Sequence, residues 1–576
     1  MLKKSLSLAI IAIATLTGCA TLPQQHNEYT TATPAQQTSG LPLALPPANL
    51  EADILYSLLV AELAGQQQRY DIMLKNYVGA AKKTNDPGLA EHATQIAISL
   101  KAHQIALESA QLWHQTAPDS GHAKQVLAAT LILNQQPEQA IQLLEELLAS
   151  GQQSNIELLA ANGPNFSPKQ RDDLITHLEG LLAAYPNNPQ LLFTQASLLQ
   201  LNDRHEEALN YTNKLHRIAP GPRSLSLQAR LNHQLGHTNK ALTKLNKSLK
   251  DHPQSRSLQI LYAQILLEDK QLLKALEQFT QLSTQYPQDH QLKLTLAVLQ
   301  LKNGFNDTGK KQLLALTNIP EIASQAHYYL GQAYQQQSQT EQALQHYKQV
   351  TNNEHLLSAH QQIGLLLLQE NRFPALQQHF NKARKDNPEQ SKNLFIIEAE
   401  LLTNADHTSS AITLLNTALK QTPNDINLLY NRAIAFEKTN HLNAMEHDLR
   451  AILSQQPNNA VALNMLGYTL ADRTTRYPEA LKLITRANEL SPNNPAITDS
   501  LGWVQFRLGN IEQAIELLEQ AFSDFKDHEV AAHLGEALWT IGQHQRARQI
   551  WSDALQATPD SAILKRVINR LSPELK

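Results

Sequence analysis

The sequence predicts an all-α solenoid, a right-handed superhelix of helix-turn-helix repeats, and two combs of residues in register predict it. Pro118, Pro186, Pro220, Pro253, Pro287, Pro320, Pro388, Pro423, Pro457, Pro492 and Pro559 stand 33–35 residues apart or about twice that. A dozen residues ahead runs a second comb: Ala106, Ala140, Ala208, Ala241, Ala275, Ala343, Ala411, Ala480, Ala514 and Ala547. A fixed period of about 34 residues is the signature of stacked pairs of antiparallel helices.

The fuller copies identify the repeat type. Leu534-Gly535, Leu538, Ala547, Trp551, Ala554 and Pro559 form one, and Leu330-Gly331, Tyr334, Ala343 and Tyr347 another. Both resemble tetratricopeptide (TPR) repeats. The pattern has a mechanical reason. The Gly or Ala of the first helix and the Ala of the second sit where the helices cross, and only small side chains let ridges and grooves approach that closely. The large residue four positions later (Phe279, Tyr347, Trp551) shares the alanine's face and is expected to fill the seam with the next repeat. The comb proline ends the second helix, because it lacks an N–H and pushes its predecessor out of the α region. Asn, Asp or Ser then caps the next helix, as in Pro423-Asn424-Asp425, Pro457-Asn458-Asn459 and Pro559-Asp560-Ser561. In Pro492-Asn493-Asn494-Pro495 a second proline takes the first helical position, where a missing donor costs nothing.

Along the chain, residues 1–18 read as an export signal. Lys3 and Lys4 precede an apolar stretch from Leu6 to Leu16, too short to span a bilayer. Leu16-Thr17-Gly18-Cys19 resembles a bacterial lipobox, and Cys19 is the single cysteine in 576 residues. The resemblance implies cleavage before Cys19 and lipidation of that residue, with several acyl chains holding the protein to a membrane. Ala20 follows, where an inner-membrane lipoprotein would carry Asp, which favours the outer membrane, facing the periplasm. Residues 19–48 form the lipid anchor and a linker rich in Pro, Gln and Thr, expected to be disordered. Such a tether spans roughly 30 Å as a flexible coil and at most about 90 Å as polyproline II.

The solenoid is expected over 49–572. A helical pair at 49–85 precedes about fourteen repeats, giving 14–15 in all. Asn162-Gly163-Pro164-Asn165 breaks the pattern near 162–168, and Leu174 stands at the comb position of that unit. The break reads either as a boundary between two arms or as a longer loop within one spiral. Gly309 and Leu376 also replace the comb alanine.

Net charge is −4 and 17% of residues are charged, so no broad basic face offers itself to nucleic acid. Two segments come near to enzyme motifs. Gly304 to Lys311 has the glycine spacing and lysine of a P-loop, but it ends in Lys311 where Ser or Thr would hold magnesium, and it follows a helix instead of a strand. His528-Glu529-Val530-Ala531-Ala532-His533 is a zinc-protease helix with one residue too many, since a spacing of five turns the second histidine about 140° away. Glu529 is better placed to open a helix, near its positive end. No nucleophile motif and no metal or cofactor site emerges, and the reading is of a non-enzymatic protein that binds other proteins.

The constellation that suits binding is aromatic. On the comb, Trp503, Phe506 and Trp539 take first-helix positions expected to line a groove in the last repeats, and Tyr430 and Tyr468 do so upstream. Such residues are either partner anchors or ordinary inter-repeat packing, and both readings stand.

Several segments carry a closer likeness: Leu55-Tyr56-Ser57-Leu58-Leu59-Val60-Ala61-Glu62, Asp86-Pro87 with Ala90-Glu91, Leu466-Gly467-Tyr468-Thr469-Leu470-Ala471-Asp472, Asp499-Ser500-Leu501-Gly502-Trp503, and Ala531-Ala532-His533-Leu534-Gly535-Glu536. With the lipobox, they resemble the proteobacterial outer-membrane TPR lipoproteins of the LbcA type. That resemblance implies an adaptor that binds a periplasmic carboxyl-terminal processing protease and presents substrates such as cell-wall cross-link hydrolases. The alternative from another class is an assembly scaffold of the pilotin or polysaccharide-export type.

Overall fold

The computed structural model describes residues 52–351 and 353–573, so the export signal, Cys19 and the linker lie outside the described residues. The described chain holds thirty-one α-helices and no strand, which makes fifteen helix pairs and a closing helix, Ala562–Leu571. It divides into two compact units, Met1–Leu299 and Gln300–Lys576. In the second unit each helix packs on its sequence neighbour, and first helices also touch the first helices of adjacent repeats.

The small-residue comb sits at the crossings. Ala343, Ala480, Ala514 and Ala547 have no exposed surface. A Cβ built on Gly467 would lie 2.6 Å from Ile484 and 3.1 Å from the Ala480 carbonyl oxygen; one on Gly502 would lie 2.7 Å from Leu518. The residues that replace the alanine, Leu174, Gly309 and Leu376, are buried as well. Tyr347 and Trp551 share a core with the following helix, Tyr347 with Ala359 and Ile363 and Trp551 with Leu564 and Ile568, and they also lie against Gly331 and Gly535 in the first helix of their own repeat, where the missing side chain makes room for a ring.

First helices are capped as the sequence expects. Asp425 accepts from Asn427 and Leu428, Asn459 from Ala462, Asn494 from Ala496 and Ser561 from Leu564, and Pro495 occupies the first turn behind Asn494. Asp86, Ser120, Ser167 and Asn188 do the same earlier in the chain. Two comb prolines depart from the pattern. Pro320 opens the helix Pro320–Gln336, and Pro388 begins a 3-10 turn.

Second helices begin differently. The turn before them carries one left-handed residue, at Gln135, Asp203, Gly236, Lys270, Gly304, Ser338, Asn371, Asp406, Asn440, Gly509 and Gly542. This third comb keeps the same period. At Lys270 the two bonds that close the first helix are Lys270 N to Leu267 O at 3.0 Å and Gln271 N to Leu266 O at 2.9 Å, the Schellman arrangement. Gly304, the first glycine of the P-loop-like segment, is one of these turn residues, with φ of 82°.

At the pattern break, the first helix shrinks to Glu157–Asn162 followed by the 3-10 turn Gly163–Asn165, and a long second helix, Pro168–Ala184, follows. Gly163 is buried against Leu198 and Leu201. Ser167 and Gln170 form a reciprocal capping box at the start of the long helix. The break is therefore a compact turn; the division into units falls at 299/300.

Candidate protein-binding surface

Four consecutive first helices of the second unit carry the site: Ile426–Lys438, Ala460–Arg473, Pro495–Leu508 and His528–Thr540. At its centre, buried His533 shares its Nδ1 with Asp499, 3.0 Å and 3.1 Å from the two carboxylate oxygens. The two residues are 34 apart and lie on adjacent first helices, Asp499 in the helix Pro495–Leu508 and His533 in the helix His528–Thr540. Burial pushes the imidazole toward the neutral form, but Asp499 outweighs it and the pKa rises. The other nitrogen, Nε2, faces the Tyr468 hydroxyl at 3.4 Å. Trp503 stacks on the His533 ring with centroids 4.2 Å apart, and Phe506 stacks on Trp503 at 5.2 Å.

Carboxylates surround this core. The Tyr468 hydroxyl is held protonated by burial and by Asp472, Glu529, Asp499 and Glu437 together. Glu437 has its pKa raised by burial and by Glu529 and Asp472, with Arg473 opposing. Glu529 is raised by burial first, with His533 opposing and Asp527 and Asp499 adding to the rise. The carboxyls of Glu437 and Glu529 thus belong to one patch although 92 residues separate them in sequence. Asp472 is tied to the Arg473 guanidinium at 2.8 Å. The arrangement is a carboxyl-rich patch backed by rings, with Asp499 paired to His533 and Asp472 to Arg473.

The five sequence-selected aromatics divide. Tyr468, Trp503 and Phe506 come together around His533. Trp503 is only 6% exposed, so its ring is packing within the site and not a free anchor. Tyr430, half-buried, lies seven residues before Glu437 on the same helix and feels its charge. Trp539 belongs to a separate group, stacked on His544 at 4.1 Å and on Trp551 at 5.6 Å, with the Arg548 guanidinium 5.3 Å from its ring.

Sequence reasoning passed over Asp499, His533, Glu437 and Glu529 as members of a site. The one-repeat spacing of Asp499 and His533 was the available signal. His528 turns instead to Ser561, at 3.1 Å, so the two histidines of the zinc-protease-like segment go to different partners. Glu529 lies in the first turn of its helix behind the capping Asp527. In the P-loop-like segment, Lys310 binds Gln337 at 2.8 Å and lies 5.2 Å from the Tyr334 ring. Among the described residues no group of three or more His, Cys, Asp or Glu could hold a metal ion, and no helix is long and apolar enough to cross a membrane.

Residues 500–562 and residues 325–354 match two tetratricopeptide repeat families. The chain is 39% identical over 577 residues to the TPR repeat-containing protein PA4667 of Pseudomonas aeruginosa, covering 99% of this chain and 97% of that one. Of solved structures, yeast Tom70 aligns over 90% of this chain and 99% of its own with 14% identity and a TM-score of 0.33. Pseudomonas aeruginosa pilF aligns over 32% of this chain and 85% of its own with 22% identity and a TM-score of 0.28.

Proposed function

Since the chain belongs to the family of TPR repeat-containing proteins represented by its Pseudomonas aeruginosa relative, a family of protein–protein interaction scaffolds, we propose that it works as an LbcA-type adaptor. In this reading Cys19 carries the lipid and fixes the protein to the outer membrane, facing the periplasm. The repeats hold a carboxyl-terminal processing protease and present substrates such as cell-wall cross-link hydrolases. The adaptor itself does no chemistry. Holding protease and substrate on one scaffold makes their encounter intramolecular, with an effective concentration in the millimolar range where geometry permits.

The observation that carries the reading is the cluster on successive first helices in which Asp499 and the Tyr468 hydroxyl meet His533 and Trp503 stacks on its ring, with the carboxyls of Asp472, Glu437 and Glu529 acting on Tyr468. Carboxylates that burial and mutual repulsion drive toward protonation gain when a partner's Lys or Arg side chain arrives. Such a surface favours extended segments with basic residues, and Tyr430 and Tyr468 add hydrogen-bonding rings beside it.

The test is capture by the full-length, membrane-anchored protein purified from an envelope extract, with the bound protease identified by mass spectrometry. Glu437→Gln with Glu529→Gln should weaken that capture about tenfold and flatten its salt dependence. Recovery of a secretin or export subunit in place of the protease would move the protein to the assembly-scaffold class. Undiminished capture by the double variant would place the binding surface elsewhere.

A further inference from the structure

The first unit carries an arginine that the fold leaves without a counter-ion. Arg230 lies on the first helix Pro222–Gln234, directly after Ala229, which is fully buried in one core with the comb residue Ala241. Tyr468 follows Gly467 and Trp503 follows Gly502 in the same way, so Arg230 takes the place on its helix that those rings take on theirs. Its Nη2 reaches Gln264 Oε1 at 3.5 Å, on the next first helix, Arg256–Glu268. Among the described residues that long bond is its only one, and no carboxylate pairs with it. Other part-buried arginines differ: Arg384 pairs with Glu398 at 2.6 Å and Arg432 with Asp448 at 2.7 Å.

Its surroundings do not replace the missing partner. Arg230 keeps part of its surface open to solvent, yet burial lowers its pKa and Glu268 offsets that only in part. Glu268 is already held by His233, whose Nε2 lies 3.0 Å from its carboxylate. One turn before Arg230 on the same helix face, the Ser226 hydroxyl is buried and has no hydrogen-bond partner. Thr212 and Ser248, in the flanking helices, instead donate to the carbonyl four residues earlier, at 2.7 Å and 2.8 Å. Two polar groups on one face thus stand unanswered by the protein, and each costs free energy until a ligand meets it.

We propose that Arg230 and Ser226 form a seat for a carboxylate of a partner polypeptide, supplied by a chain terminus or by an Asp or Glu side chain. The guanidinium is a planar fork whose paired N–H groups match the two oxygens of a carboxylate, and the serine hydroxyl adds a further donor. One negative charge answers one positive charge. A phosphate fits less well, since it would bring nearly two charges to a single cation with Glu268 nearby. The seat is made by residues of the first unit alone and does not rest on the adaptor role.

The test is saturation-transfer NMR on the full chain at neutral pH with three acetylated tetra-alanine peptides. One ends in a free carboxylate, one is amidated, and one is amidated with aspartate in place of its third alanine. At least one carboxylate-bearing peptide should bind about tenfold more tightly than the plain amide, and Arg230→Met should abolish that difference. Preference for the free terminus would place the natural ligand at a chain end, and preference for the aspartate peptide would place it within a chain. A plain amide that binds as well as both, or a preference that survives Arg230→Met, would overturn the proposal. Inorganic phosphate displacing the preferred peptide at lower concentration than acetate does would overturn it in favour of a phosphate site. Hydrogen exchange over 222–268 separates a seat from a merely structural arginine. Arg230→Met removes an uncompensated charge and should leave that exchange unchanged or slower, and faster exchange would also overturn the proposal.

Discussion

Arg384 and Glu398 offer the sharpest test of how this fold tolerates charge inside it. The guanidinium lies 2.6 Å from the Glu398 carboxylate, and their side chains are 8% and 2% exposed. Arg384 also donates to Asn381 at 2.6 Å, and its guanidinium lies 4.1 Å from the centre of the Phe395 ring. Burial pushes the Glu398 pKa up, and Arg384 only partly offsets it. Arg384→Met removes that offset and leaves a buried carboxyl without its counter-charge, at a cost of about 3–5 kcal/mol near neutral pH. The sign with pH follows. The folded state then holds the Glu398 proton more tightly than the unfolded state does, so stability is greatest below the unfolded value and falls as pH rises toward the folded one. The variant should therefore recover about 1.4 kcal/mol for each pH unit lowered toward 4.5. Arg384→Met/Glu398→Leu, with no charge left to bury, should return to within about 1 kcal/mol of the parent. Peptide-resolved hydrogen exchange over 373–404, corrected for intrinsic rates, reads these differences repeat by repeat. An equal loss at pH 5 and pH 8, or a double variant no better than the single, would refute the reasoning.

Trp503→Ala should cost about 3–5 kcal/mol in local stability by urea unfolding, because the ring is buried; Trp503→Phe should cost far less, since its buried Nε1 has no hydrogen-bond partner to lose. Gly467→Leu should overpack its crossing by about 1–3 kcal/mol or more, with faster hydrogen exchange confined to neighbouring repeats. His360 and His379 are hydrogen-bonded at 2.9 Å, and burial lowers both pKa values, His360 to about 4. The unfolded rings take up protons near pH 6.5 and the folded ones resist. Residues 353–386 should thus lose stability as pH falls below about 6.5, and His360→Phe/His379→Phe should flatten that dependence in hydrogen exchange. Cys19→Ser should block processing and move the protein out of the outer-membrane fraction; unchanged fractionation would remove the lipid anchor from the proposed function.

The helix crossings were legible because they demand a residue type. Only Gly fits at Gly467 against the fully buried Ala480, and a short polar side chain caps at Asp425 and Asn459. The left-handed turns were not legible, because Gln135, Lys270 and Asn440 reach one backbone conformation with unrelated side chains. The seam residues were half legible. Tyr347 and Trp551 were recognisable as filling the seam with the next repeat, but their packing into their own repeat depends on where a glycine has left a gap. Trp503 shows the limit of projecting positions onto a comb. Its place on the first helix was right, yet His533 and Phe506 close over the ring and take it from solvent. That closure depends on His533, 30 positions away on the first helix of the next repeat, which no window on a single helix contains.

The left-handed turns also make the array adjustable. A non-glycine residue held in that conformation carries a penalty of about 1–2 kcal/mol, smaller for Asn and Asp, whose side chains bond locally. Lys270, Gln135 and Ser338 therefore keep a reserve that Asn371, Asp406 and Asn440 have partly used and the glycine turns fully used. Glycine also loosens the unfolded chain, so the net gain per site is a fraction of the penalty. Because the turns lie in separate repeats, such gains would add almost independently. The melting order of neighbouring repeats could be rewritten one turn at a time, leaving every residue that a partner touches as it is.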